Sequence, residues 1–134
     1  MPVRYDQLAA LLRIHPVWAG FDACEFSFEI YPLAIVIQDF RVCMDLGAST
    51  AAEYAEHAAA DYLRYVADYD AGRPLFLVAF TRRVLHQLWP DAYGDAEPAD
   101  HLIVTDGNHR LVSLARRAAN GLPDAISVGV FVCR

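Results

Sequence analysis

Lysine is absent: all eleven basic residues of this 134-residue chain are arginine. A lysine nucleophile or Schiff base is therefore excluded, and any anion must be held by guanidinium, imidazole or backbone N–H groups. Cysteine is scarce, with Cys24, Cys43 and Cys133 far apart and no CxxC pair. Neither a disulfide framework nor a zinc knuckle is indicated, and free thiols in a reducing compartment are the expectation. His15, His57, His86, His101 and His109 form no HxxxH or HExxH pair, so a zinc site would need distant partners. No nucleophile-elbow motif supports a serine triad. Apolar runs such as Leu33–Ile37 are far shorter than a membrane span. The start, Met1-Pro2-Val3-Arg4-Tyr5-Asp6, lacks the layout of a secretion signal, and a soluble, cytoplasmic protein is expected. Positive charge is in deficit: the net charge of −6 speaks against a nucleic-acid partner, because duplex binding needs a basic face to displace counterions.

What is present is apolar material for a core, at 56% hydrophobic residues against 21% charged. That balance and length predict a single domain over residues 1–134. Charge is uneven along the chain. Residues 49–72 carry five acids and one arginine, residues 91–100 four acids and no base, and residues 106–134 four arginines and two aspartates.

Tyr5, Leu8, Ala9 and Leu12 fall at helical spacing, which predicts a short helix over 5–13. Glu25 to Tyr31 alternates, with Phe26, Phe28 and Ile30 on one side, and predicts a half-buried strand that Pro32 either ends or places at a sheet edge. Leu33–Ile37 reads as a second strand, continued past a bend by Phe40, Val42 and Met44. Thr50 and Glu53 fit a capping box opening a helix over 51–70, stopped by Gly72 and Pro74. Residues 74–80 read as a short strand and 81–89 as a short helix with Val84, Leu85 and Leu88 inward. Residues 90–100 form an acidic loop. The last third reads as strand (101–105), turn, helix (108–119, with Leu111, Leu114, Ala115 and Ala118 apolar) and strand (126–132). The fold class expected is α+β, a mixed sheet packed with helices and ending in a β-α-β unit.

The turn Asp106-Gly107-Asn108-His109-Arg110 concentrates the chemistry. Gly107 permits a tight turn and close ligand approach. The first N–H groups of the following helix lack partners, and the helix dipole favours an anion there. Arg110 can grip phosphate oxygens bidentately, with His109 as a further donor. Asp106 can hold a metal ion or a substrate hydroxyl, or simply cap the helix.

Residues Ile103 to Ala115, centred on this turn, resemble the signature of the ParB/sulfiredoxin-like superfamily. Ala71-Gly72-Arg73-Pro74-Leu75 before an apolar strand resembles a second element of that family. The resemblance implies a nucleotide- or phosphate-binding site formed by Gly107, Asn108, His109, Arg110 and Ser113, with Asp106, His109 and Arg110 as catalytic residues. It also implies ATP or ADP with Mg²⁺, the metal at Asp106. The branches differ in fit. Sulfiredoxins carry a Gly-Cys-His-Arg turn, and Asn108 stands where their reactive cysteine would be. Chromosome-partitioning members continue into a helix-turn-helix, whereas 24 residues follow Arg110. Free-serine kinases carry Asp-Gly-His-Thr-Arg, matched by Asp106, Gly107 and Arg110. They add a carboxylate from the N-terminal part, for which Glu25 and Glu29 are the candidates. Residues 82–100 would then be an inserted segment, a lid or plain surface, in which Arg82 and Arg83 could meet a phosphate tail. The functional expectation is a small phosphotransferase acting on a hydroxyl-bearing metabolite. A non-catalytic nucleotide-binding or protein-interaction module is the alternative, and a ParB-like nuclease is third.

Overall fold

The computed structural model describes residues 2–13, 24–58, 75–119, 121 and 126–134. In order these form β1 (Pro2–Arg4), α1 (Tyr5–Leu12), β2 (Glu25–Pro32), α2 (Leu33–Asp39), β3 (Arg41–Val42) and a 3₁₀ turn (Cys43–Asp45). There follow α3 (Ala51–Ala55), β4 (Phe76–Thr81), α4 (Arg82–Leu88), β5 (Leu102–Asp106), α5 (Asn108–Ala118) and β6 (Ser127–Cys133). The class is α+β, and the strands make one mixed sheet in the order β1-β2-β6-β4-β5-β3.

The period-two pattern of the strands builds a core on each face of that sheet. Val128, Val130 and Val132 of β6, with Leu77 and Ala79 of β4, pack under α2, α3 and α5. The alternate positions Phe131, Cys133, Val78 and Phe80, joined by Phe26 of β2, pack with Tyr5 and Leu8 of α1 and Val84 and Leu85 of α4. Cys133 is buried, and burial together with the neighbouring Cys24 thiol pushes its own thiol up.

Leu33–Ile37 is not a strand but the body of α2. The spacing of Leu33, Val36, Ile37 and Phe40 is that of one helix face, and all four are buried while Ile35 is 44% exposed. A five-residue apolar run has no polar gaps to report its period, so length alone misread it. Of its expected continuation Arg41–Val42 is the part that forms a strand, and Met44 lies in the 3₁₀ turn. The terminal strand-helix-strand order is as expected, but β5 and β6 are not neighbours. β4 lies between them, antiparallel to β5 and parallel to β6, so β5 and β6 run in opposite directions. Hydrogen-bonding partners are long-range choices that local pattern does not carry.

Thr50 caps α3 as its residue type predicts: its hydroxyl accepts the Glu53 N–H at 3.1 Å and donates to the Glu53 carboxylate at 3.0 Å. The helix expected over 51–70 is described only through Ala55 and a turn at Glu56 and His57. Its remainder, and Ala71–Pro74 of the second resemblance, lie outside the described residues. In α4 Leu88 is 37% exposed rather than inward, because the helix ends there and Trp89 leaves helical geometry. The β1 strand, three residues long, is too short for a pattern to announce.

The helix at 33–39 has a direct consequence. Val36→Ala should cost roughly 2 kcal/mol and Ile35→Ala under about 1 kcal/mol in urea unfolding, the reverse of what strand alternation through Leu33, Ile35 and Ile37 would give.

Candidate functional site

β5 brings the chain to the site through a fully buried stretch, with Ile103 and Val104 at 0% exposure between β4 and β3. A register shift at Val78/Ala79 loosens the β4–β5 ladder, and the buried Thr105 hydroxyl donates to the Val78 carbonyl there at 3.2 Å. Gly107 then turns the chain at φ +91°, in the left-handed region. A Cβ at this position would lie 2.6 Å from Leu77 Cδ2. Both constraints select glycine, for conformation and for space.

Helix α5 starts at once. No side chain at the N-cap covers its opening amides, and the Gly107 carbonyl accepts the Leu111 N–H at 2.9 Å. Asn108 turns inward and is 6% exposed. Its Oδ1 accepts the Cys43 backbone N–H at 3.2 Å, and its Nδ2 donates to Cys43 Sγ at 3.0 Å. Burial pushes the Cys43 thiol up, against the pull of the Asn108 amide, with the charges of Asp106 and Asp45 adding to the rise. Cys43 is thus a protonated partner of Asn108 and not an activated nucleophile.

With Asn108 fixed inward, His109 and Arg110 point out and are exposed. In front of them lies a hollow of about 260 Å³ lined by Leu12, Arg13, Phe76, Asp106, Gly107, His109 and Arg110. Four of the six expected site residues therefore line one space: Asp106, Gly107, His109 and Arg110. Asn108 and Ser113 do not. Ser113 is 1% exposed on the inner side of α5, and Asn108 serves the corner itself.

The other arginines of the last third are engaged elsewhere. Arg116 donates to the carbonyls of Ala55 and Ala58 at the end of α3, and Arg134 bonds both Glu29 carboxylate oxygens at 2.6 and 2.7 Å. Arg110 makes no hydrogen bond or ion pair to another described residue. Sequence reasoning missed Arg13. It ends α1 in the left-handed conformation (φ 54°) and enters the hollow from the other end of the chain. A basic residue closing a helix is ordinary dipole pairing, so nothing in the sequence marked it.

The other candidate groups lie apart. Glu29 is held by Arg134 and by the Tyr31 hydroxyl, whose pKa is pushed up to about 12 by burial and by that carboxylate. Glu25 pairs with Arg4 across the β1–β2 register, and neither glutamate lines the hollow. Arg82 donates to the Gly47 carbonyl at 3.0 Å, a structural task. Residues 82–100 leave the sheet where Thr81 faces Leu102, at the opposite end of the β4–β5 pair from Asp106. They are tied down by buried Tyr93, whose carbonyl meets His86 Nδ1 at 2.7 Å. Among the described residues no three His, Cys, Asp or Glu side chains gather as a metal site, and no helix is long and apolar enough to cross a membrane.

Comparison with protein-family models, with curated proteins and with solved structures finds no match to this chain. The site therefore has to be read from its own geometry.

That geometry separates corner residues from surface ones. Gly107→Ala should lose about 2 kcal/mol or more, through left-handed strain and the Leu77 contact. Asn108→Ala should lose roughly 1–3 kcal/mol by stranding the Cys43 N–H. Arg110→Ala should stay within about 0.5 kcal/mol of wild type. Denaturant unfolding of the three variants checks the order.

Proposed function

We propose that this chain binds the phosphates of ATP or ADP at the β5–α5 corner and is a small phosphotransferase acting on a hydroxyl-bearing metabolite. One observation carries the reading: Arg13 and Arg110, from opposite ends of the chain, share a hollow with His109, the Gly107 turn and the carboxylate of Asp106. Two guanidiniums beside the positive end of an eleven-residue helix make a place for negative charge. Arg110 grips terminal phosphate oxygens, Arg13 closes on them from the facing side, and His109 donates a further hydrogen bond. Such donors stabilise charge spread over a transferring phosphoryl group. Asp106 accepts the proton of the incoming hydroxyl or steadies the ion that accompanies the nucleotide. A magnesium ion fits this donor set, since one carboxylate with phosphate oxygens and waters is a usual way of holding it.

The same proposal includes membership of the ParB/sulfiredoxin-like superfamily. It is supported by the Asp106-Gly107-Asn108-His109-Arg110 turn standing between a strand and a helix. A cytoplasmic setting is part of the same proposal, in keeping with three cysteines and no CxxC pair in the sequence.

A binding module without turnover is the second reading, and a particular fact favours it. Among the described residues Asp106 is the one carboxylate lining the hollow, while Glu29 is committed to Arg134.

Calorimetry with MgATP and MgADP is the test. Arg110→Ala should weaken binding by tenfold or more, the loss of a charge-assisted bidentate contact. Equal affinity in both proteins would contradict the anion site. Affinity with no transfer to any of a panel of small alcohols and hydroxy acids would select the binding module.

A further inference from the structure

Helix α1 packs on the face of the sheet that carries Phe26 and Phe131. Beside Leu12 lies an apolar groove of about 400 Å³, lined among the described residues by Leu11, Leu12, Phe28, Phe76 and Phe131. The three phenylalanines form one cluster, with ring centroids 5.0 Å apart for Phe28–Phe131, 6.1 Å for Phe28–Phe76 and 6.4 Å for Phe76–Phe131. Leu11 is 69% exposed and Phe76 38%, so two large apolar side chains stay in contact with water at this spot.

Gly129 of β6 explains how the rings are placed. It lies in a regular strand, so no turn calls for glycine. A Cβ there would lie 2.8 Å from Phe76 Cδ1 and 2.9 Å from Phe28 Cε2 and Cζ. The missing side chain leaves room for both rings against the β6 backbone. The groove adjoins the anion hollow, since Leu12 and Phe76 line both. A ligand lying across the two would place a charged group by Arg110 and a flat apolar group on the rings. The hollow alone, about 260 Å³, is smaller than most small-molecule sites, which run from about 300 to 1,000 Å³; with the groove beside it the space falls within that range.

We infer that this groove seats the base of the nucleotide whose phosphates occupy the hollow, an inference that rests on the reading of the hollow given above. The base stacks on Phe76, with Phe28, inclined 49° to that ring, against its edge and Leu11 and Leu12 as its side wall. Among the described residues all five lining side chains are apolar and offer no hydrogen-bonding group to a base edge. Stacking without edge recognition is tolerant of sequence, so the site discriminates little between purines and pyrimidines.

The test compares MgATP, MgGTP, MgCTP, magnesium tripolyphosphate and octyl phosphate by calorimetry on wild type, Phe76→Leu, Phe28→Leu and Arg110→Ala. Leucine keeps the site apolar and removes the ring, and unchanged tripolyphosphate affinity reports a folded hollow. ATP should bind wild type about tenfold tighter than tripolyphosphate, and each leucine variant should erase most of that advantage. The three nucleotides should agree within about threefold. ATP binding no tighter than tripolyphosphate, with Arg110→Ala weakening both, would overturn the base seat and leave the phosphate site standing. Octyl phosphate outcompeting every nucleotide would overturn it in favour of an alkyl occupant. Arg110→Ala weakening none of the ligands would overturn the phosphate site and the base seat together.

Discussion

The corner between β5 and α5 rests on two inward contacts. Gly107 lies against Leu77 in a conformation other residues adopt at a cost, and Asn108 bonds the backbone and thiol of Cys43, 65 residues earlier. Together they fix the rotation of the first helical turn about its axis. With Asn108 in, His109 and Arg110 are out, and the direction of the helix entrance is set by packing and not by a ligand. A site prepared in this way needs no reorganisation to receive an anion.

The remaining parts of the site are brought by the sheet. Phe76 lies on β4 beside the corner, and α1 brings Leu12 and Arg13 to the hollow that Arg110 also lines. The acidic excess of the whole chain does not conflict with a local anion site. Glu29, the expected second carboxylate, is neutralised by Arg134 at the β2 position, and the acid-rich 90–100 loop sits at the far end of the β4–β5 pair. Charge here is sorted by place, and the net value says little about the hollow.

The parts legible in the sequence were those set locally. Thr50 as a cap, Pro32 as the end of β2 and Gly107 between a strand and a helix all express short-range sterics and hydrogen bonding, and the alternation of β2 holds for Phe26 and Phe28 but not for Ile30, which is 60% exposed. The rest depends on contacts across the chain. Leu33–Ile37 carries no period to separate helix from strand, the insertion of β4 between β5 and β6 is a choice of distant partners, and Asn108 faces inward because Cys43 waits for it. Arg13 and Gly129 were invisible for the same reason: each acquires its role only when another element is laid against it.

The most direct measurement is an amide ¹H–¹⁵N titration of the protein with magnesium tripolyphosphate, a ligand stripped to the charge the corner is argued to hold. The account requires saturable shifts that are largest at Gly107, Asn108, His109 and Arg110, with the Arg13 amide moving alongside them. Shifts of equal size at Arg41, Arg82, Arg116 and Arg134, growing without saturation, would mean that arginines bind the anion wherever they stand, and the central claim would fail.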